Sequence, residues 1–163
     1  MAPRDPALVK VENAFAAAGL HGRLAELPTD VPTAAAAAEY LGCGVGAICN
    51  SVIFRVGDEP VLVLCSGANR VDEAKAAARF GVPKLSRADP EFVHAATGQR
   101  VGGCAPVGHP APIRTLVDAS LAEYEFVWAG GGVANAVFRV THDELVILTG
   151  APSVDIRAGT GSS

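Results

Sequence analysis

Two stretches of this chain carry residue types that do chemistry. The first runs from Arg100 to Pro112 and reads RVGGCAPVGHPAP. Gly102, Gly103 and Gly108 leave backbone N–H groups unobstructed by a Cβ, while Pro106 and Pro110 stiffen the path between them. Such a loop can aim amide donors at a carbonyl oxygen that becomes an oxyanion during acyl transfer. The same composition suits a structural Ω-loop, and the residues alone leave the two readings even. His109 has the near-neutral imidazole that general bases use, yet a His between Gly and Pro also reads as an ordinary loop residue. Cys104 has no base adjacent in sequence, so an inert buried thiol is the better reading.

The second stretch is Ile48 to Phe54, ICNSVIF, where a carboxamide and a hydroxyl head an apolar run. On a strand Asn50 and Ser51 point to opposite faces, so one of the two lines any pocket there. Asn offers two donors and an acceptor without charge. It can hold a substrate, mark a site that binds without efficient turnover, or bond buried backbone to offset its own desolvation.

Other chemistries lack their residues. There is no Walker loop, GxGxxG after a strand, HExxH, GxSxG or CxxC. Gly130-Gly131-Gly132 resembles a phosphate cradle only superficially, because no Lys-Ser/Thr pair or helix start follows, and it reads as a tight turn. Cys43, Cys49, Cys65 and Cys104 read as reduced, mostly buried thiols, and His21, His94, His109 and His142 show no ligand spacing to them. Neither a metal nor an organic cofactor is expected.

The elements that position these stretches follow from pattern and punctuation. Leu8, Val11, Phe15 and Leu20 recur at helical spacing between Asp5 and Leu20. A short strand is expected over 23–27, then an Ala-rich helix from Pro32-Thr33-Ala34 to Gly42. Residues 51–57 and 60–66 form a β-hairpin about Gly57-Asp58-Glu59-Pro60. Helices follow at 71–80, ending at Gly81, and from Asp89 to Gly98. After the Gly/Pro loop come strands at 113–117, 125–129 and 136–140. A helix at 141–148 starts with a Thr141/Glu144 capping box. Residues 157–163 read as a flexible tail. Strands and helices intersperse without regular βα alternation, which predicts an α+β or mixed α/β domain over 1–156 with a curved sheet.

At 163 residues, half of them hydrophobic and few aromatic, the chain can bury an aliphatic core without staples. Its apolar runs fall short of a bilayer span, and Asp5 and Glu12 interrupt any leader-like segment, so a cytoplasmic protein without membrane contact is expected. The formal charge of −4 argues against a protein coated in positive charge, and no DNA partner is expected. The distribution is uneven. From Arg70 to Arg100 six basic residues stand against four acids, whereas from Asp118 to Asp155 six acids face only Arg139. One face is suited to phosphate; an ordinary solvated helix surface fits the charge equally well.

ICNSVIFRV, VLVLCSGANRVDEAKAAARFG, ATGQRVGGCAPVGHP and VWAGGGVANAVFRVTHDELVILTGAPSVDI, in that order, resemble the YbaK and prolyl-tRNA synthetase editing-domain family along about residues 5–156. The resemblance implies a mixed, barrel-like sheet flanked by helices and a deacylase, acting in trans, that hydrolyses the ester of a mischarged tRNA. Editing of this kind answers a limit on binding selectivity between near-isosteric amino acids. The resemblance further implies no cofactor, attack by water or by a group of the substrate, and amide donors at Gly102 and Gly103. Substrate contacts are implied at Ser66, Asn69, Pro106, Gly108, His109, Gly130 and Gly131, and contacts with the 3′ end of tRNA at Arg70 and Lys75. An aminoacyl-tRNA synthetase is a further candidate partner. Asn50 stands where the family typically has a lysine, so hydrogen bonding is kept and charge neutralisation is lost. The alternative is therefore a weakly catalytic module that binds an aminoacyl ester, a nucleotide or a protein.

Overall fold

In a computed structural model, which describes residues 5–20, 23–28, 33–99, 104–133 and 135–158, each helix begins where a side chain can accept from the free amides of its first turn. Asp5 caps α1 (Pro6–Ala17), Thr33 caps α2 (Ala34–Leu41), Asp72 caps α3 (Glu73–Phe80) and Asp89 caps α4 (Pro90–Thr97). Thr141 and Glu144 complete the capping box of α5 (His142–Thr149). Glu144 also receives Arg23 through two hydrogen bonds of 3.0 and 3.2 Å, tying α5 to the start of β1.

The strands β1 (Leu24–Glu26), β2 (Ile48–Val56), β3 (Glu59–Ser66), β4 (Ser86–Arg87), β5 (Arg114–Asp118), β6 (Val127–Gly130), β7 (Ala136–Val140) and β8 (Ser153–Val154) join in one sheet. Its order is β1-β7-β6-β2-β3-β5-β8, with β4 added to β2. The β2–β3 hairpin is antiparallel from Cys49↔Ser66 to Val56↔Glu59. β6 runs parallel to β2, and β5 parallel to β3. This is the expected mixed α/β architecture with a mixed sheet.

Side-chain alternation sorts the core into two layers. Cys49 and Ile53 of β2 face one side with Leu62, Leu64, Val117, Ala129 and Phe138. There α1 lays Leu8, Val11 and Phe15 against the sheet, joined by Val93 of α4, Leu145 of α5 and Ala105. Phe54, Val61, Val63, Cys65 and Leu116 face the other side beneath Ala76, Ala77 and Phe80 of α3. Ile48, with Trp128 and Val137 packed against it, lies beneath Ala37 and Ala38 of α2. Each fully buried Leu, Val or Phe contributes about 1.5–3 kcal/mol, so this layering dominates the stability of the sheet.

The structure departs from the sequence reading where pairing is non-local. β2 begins at Ile48 rather than at 51, because its first two residues pair with β6. α3 starts after Asp72, and Val71 instead bridges Arg157. Two residues of the expected tail, 157–163, are among the described ones. Arg157 lies in that bridge and the Ala158 amide donates to the Arg70 carbonyl at 2.9 Å; residues 159–163 lie outside the described ones.

Candidate active site

β2 changes neighbours along one edge, and the change leaves an opening. Ile48 and Cys49 pair with β6, Phe54 and Arg55 pair with β4, and among the described residues no strand pairs with that edge from Asn50 to Ile53. A break of this kind leaves main-chain donors and acceptors without ladder partners. β6 leaves β2 after the Cys49–Ala129 pair, so Gly130 stands at one lip. Arg87, opposite Phe54, stands at the other.

A cavity of about 330 Å³ occupies this opening. Asn50, Val52, Phe54 and Cys65 line it from the α3 side of the sheet, with Asn69, Arg70, Val71, Glu73 and Arg87 as further walls. Ile53 and Ala88, which pack with the α1-side layer, line it as well. The cavity therefore lies along the break in the sheet. Asn50 is exposed in it, whereas Ser51 turns to the α1 side, opposite Leu64.

The loop after β3 that carries Asn69 and Arg70 is fixed from beneath by Asp118, whose side chain is fully buried at the end of β5. Its Oδ2 accepts from the Ser66 amide and from Asn69 Nδ2, both at 3.0 Å. Its Oδ1 accepts from the Ser120 amide at 2.9 Å and the Ser120 hydroxyl at 2.7 Å. Four donors on one buried carboxylate offset its desolvation and fix the loop's path. Gly67 fits only without a side chain, since a Cβ there would stand 2.5 Å from the Val45 carbonyl oxygen.

The sequence-derived site residues separate in space. Asn50, Asn69 and Arg70 converge on the cavity, and Gly130 borders the opening. Ser66 does not offer its hydroxyl to a ligand: buried, it donates to the Gly46 carbonyl at 2.7 Å, and its amide is held by Asp118. Its place in the site is that of a brace. Lys75 Nζ donates to the Arg157 carbonyl at 3.0 Å and lies 3.6 Å from Asp155, so it fastens the C-terminal segment instead of standing free for phosphate. Gly131 closes the β6–β7 turn through its amide and the Ala136 carbonyl. Gly102 and Gly103 lie outside the described residues.

The described part of the Gly/Pro loop is built around Gln99, which is buried. Its Oε1 accepts from the Ala105 amide at 2.7 Å and its Nε2 donates to the Val107 carbonyl at 3.1 Å. Pro106 is buried, and Gly108, at φ +86°, packs against Val11 and Gln99. His109 contacts the Ala105 carbonyl through Nε2 at 3.0 Å. Burial holds its pKa below the ordinary value, so at neutral pH the ring is neutral and Nε2–H is the donor. Pro106, Gly108 and His109 are not among the residues that line the cavity.

Thiolate chemistry is disfavoured in the cavity. Burial, reinforced by the Asp118 carboxylate, pushes the Cys65 thiol up to about 12, and burial raises Cys49, Cys43 and Cys104 as well. Among the described residues no group of three or more His, Cys, Asp or Glu side chains is arranged to hold a metal ion. Sequence reasoning missed three residues here. Arg87 belonged to the basic stretch without distinction, Glu73 looked like a first-turn helix residue, and Asp118 looked like a strand end. The Asp118-Ala-Ser120 spacing, which suits an Asx turn, was the available signal for the last.

The chain belongs to the aminoacyl-tRNA editing domain family, whose model matches residues 28–148. It is 31% identical over 121 residues to the uncharacterized protein YwhH of Bacillus subtilis, covering 74% of this chain and 76% of that one. It is 33% identical over 99 residues to a proline–tRNA ligase of Nitratidesulfovibrio vulgaris; the match covers 60% of this chain and only 17% of the ligase. A crystal structure described as a candidate trans-editing enzyme for prolyl tRNA synthetase superposes with TM-score 0.89 at 40% identity, covering 96% of this chain and all of that one.

Proposed function

We propose that this protein is an aminoacyl-tRNA deacylase acting in trans, which hydrolyses the ester of a mischarged tRNA of the proline type bearing a small amino acid. The observation that carries the proposal is the cavity of about 330 Å³ lying along the unpaired stretch of β2. Its size suits the end of an aminoacyl-adenosine, and its lining is more polar than apolar, with Asn50, Asn69, Arg70, Glu73 and Arg87 able to meet the ribose and phosphates. Family membership and the trans-editing structural relative support the same reading.

In this reading the 3′ end of the tRNA enters from the α3 side of the sheet. Arg70 and Arg87, which make no ion pair among the described residues, meet its phosphates, and Asn50 hydrogen-bonds the ribose or the ester. Water attacks the ester carbonyl carbon, the acyl C–O bond breaks, and the ribose oxygen leaves with a proton. Backbone amides stabilise the developing oxyanion, with Gly102 and Gly103 as the proposed donors. The charge that a lysine would bring at position 50 is supplied at the cavity wall by the two arginines, opposed by Glu73. A binding module remains the second reading because Asn50 itself carries no charge.

The test is hydrolysis of alanyl-, cysteinyl- and seryl-esters on a proline tRNA. Loss of at least one ester well above its spontaneous rate supports the proposal; spontaneous decay across the panel favours the binding module.

A further inference from the structure

Among the described residues that line the cavity, Glu73 is the single acid. It is half-buried, and its carboxylate makes no hydrogen bond or ion pair among those residues. Capping of α3 does not require it, because the Asp72 carboxylate already accepts from the Lys75 amide at 3.0 Å. The backbone that carries Glu73 is held in place. The Asp72 amide donates to the Ile156 carbonyl at 2.7 Å, and the Arg70 carbonyl accepts from the Ala158 amide at 2.9 Å. Arg70 and Arg87 stand in the same walls, also without an ion pair, so charges of both signs share about 330 Å³ without neutralising one another.

A carboxylate beside two guanidiniums weakens the binding of a purely anionic ligand and favours one that brings a cation of its own. The aminoacyl end of a tRNA is such a ligand, with phosphates on one side of the ribose and an α-ammonium on the other. We propose that Glu73 receives the α-ammonium of the aminoacyl ester and so restricts the site to esters of amino acids with a free amine, against N-acylated or peptidyl esters. This deepens the deacylase reading and rests on its placement of the tRNA end in the cavity. The ammonium supplies charge-assisted donors to the carboxylate; an N-acylated ester brings no charge and leaves Glu73 facing the phosphates unopposed.

The test uses two non-hydrolysable adenosine 5′-monophosphates, one bearing a 3′-alanylamino group and the other a 3′-propionylamino group that lacks the amine. Calorimetric binding is measured at about pH 6.5, where the amine is charged, for wild type and for Glu73→Gln. Wild type is expected to bind the alanylamino compound about tenfold more tightly than the propionylamino compound, and Glu73→Gln to bind the two alike. The readout is a ratio of two affinities on one protein, so a loss of folded material does not move it. No preference in wild type, or the same preference in both proteins, would overturn the proposal. Hydrolysis of an alanyl ester on a proline tRNA is scored separately. If wild type cleaves no ester while the ratio still depends on Glu73, its role stands and the deacylase reading falls; if wild type cleaves the ester and the ratio is unchanged in Glu73→Gln, the Glu73 role alone falls.

Discussion

Asn69 donates from Nδ2 to Asp118 Oδ2 at 3.0 Å, across 49 residues of chain, and this bond connects the wall of the cavity to the core beneath it. The same nitrogen reaches Ser120 Oγ at 2.6 Å. The loop bearing Arg70 is thereby held by a carboxylate that no solvent reaches. Asp118→Ala leaves four donors without their acceptor and is expected to destabilise the fold by about 2–4 kcal/mol. Urea titration checks the size of the loss. Asp118→Asn, which keeps part of the acceptor capacity, should lose less.

Gly67 tests the same loop from its other side. With a Cβ 2.5 Å from a main-chain oxygen, Gly67→Ala cannot be relieved by a rotamer change. A cost of about 1–3 kcal/mol is expected, measured as a lower denaturant midpoint. Wild-type stability would show that the Val45 carbonyl and the loop separate easily.

Alkaline pH should weaken the fold through the buried thiols. An unfolded cysteine ionises near about 8.5, whereas folded Cys65 is pushed up to about 12. Below that lower value both states hold the proton and the contribution is complete. Between the two values the unfolded chain releases a proton that the folded one retains, so stability falls as pH rises, by up to about 1.4 kcal/mol per pH unit for each such thiol. Denaturant midpoints from pH 8 to 10 should decline less steeply in Cys65→Ala than in wild type. Parallel slopes would contradict this.

Arg70 and Arg87 should act on substrate affinity more than on turnover. Each substitution by Ala is expected to raise KM severalfold and to reduce the salt dependence of binding, since the proposed binding mode gives each one phosphate contact. Lys75→Ala, whose ammonium is committed to the C-terminal segment, should leave that salt dependence unchanged. A matching effect from Lys75 would move the tRNA path onto α3.

What could be read from the sequence follows the range of the interactions. Asp89 and the Thr141/Glu144 pair announced their helices because a cap is satisfied within one turn. The parallel pairings of β2 with β6 and of β3 with β5 depend on segments far apart in the chain, and two-residue β4 and β8 have no pattern to detect. The site was divided in the same way. Asn50 stood out as a polar residue at the head of an apolar run, and Arg70 as part of a basic stretch. Ser66 looked like a ligand contact because a polar residue ending a strand looks the same whether it faces a substrate or a buried carboxylate. Asp118, 52 residues away, decides that case.

The most direct measurement is kcat/KM for hydrolysis of alanyl-tRNA of the proline type by wild type and by Asn50→Ala, with thermal stability recorded in parallel. Asn50 is exposed in the cavity, so its removal should leave the melting temperature within about a degree while lowering kcat/KM by about tenfold or more. Equal rates above the spontaneous decay would contradict the placement of the ester at the unpaired stretch of β2.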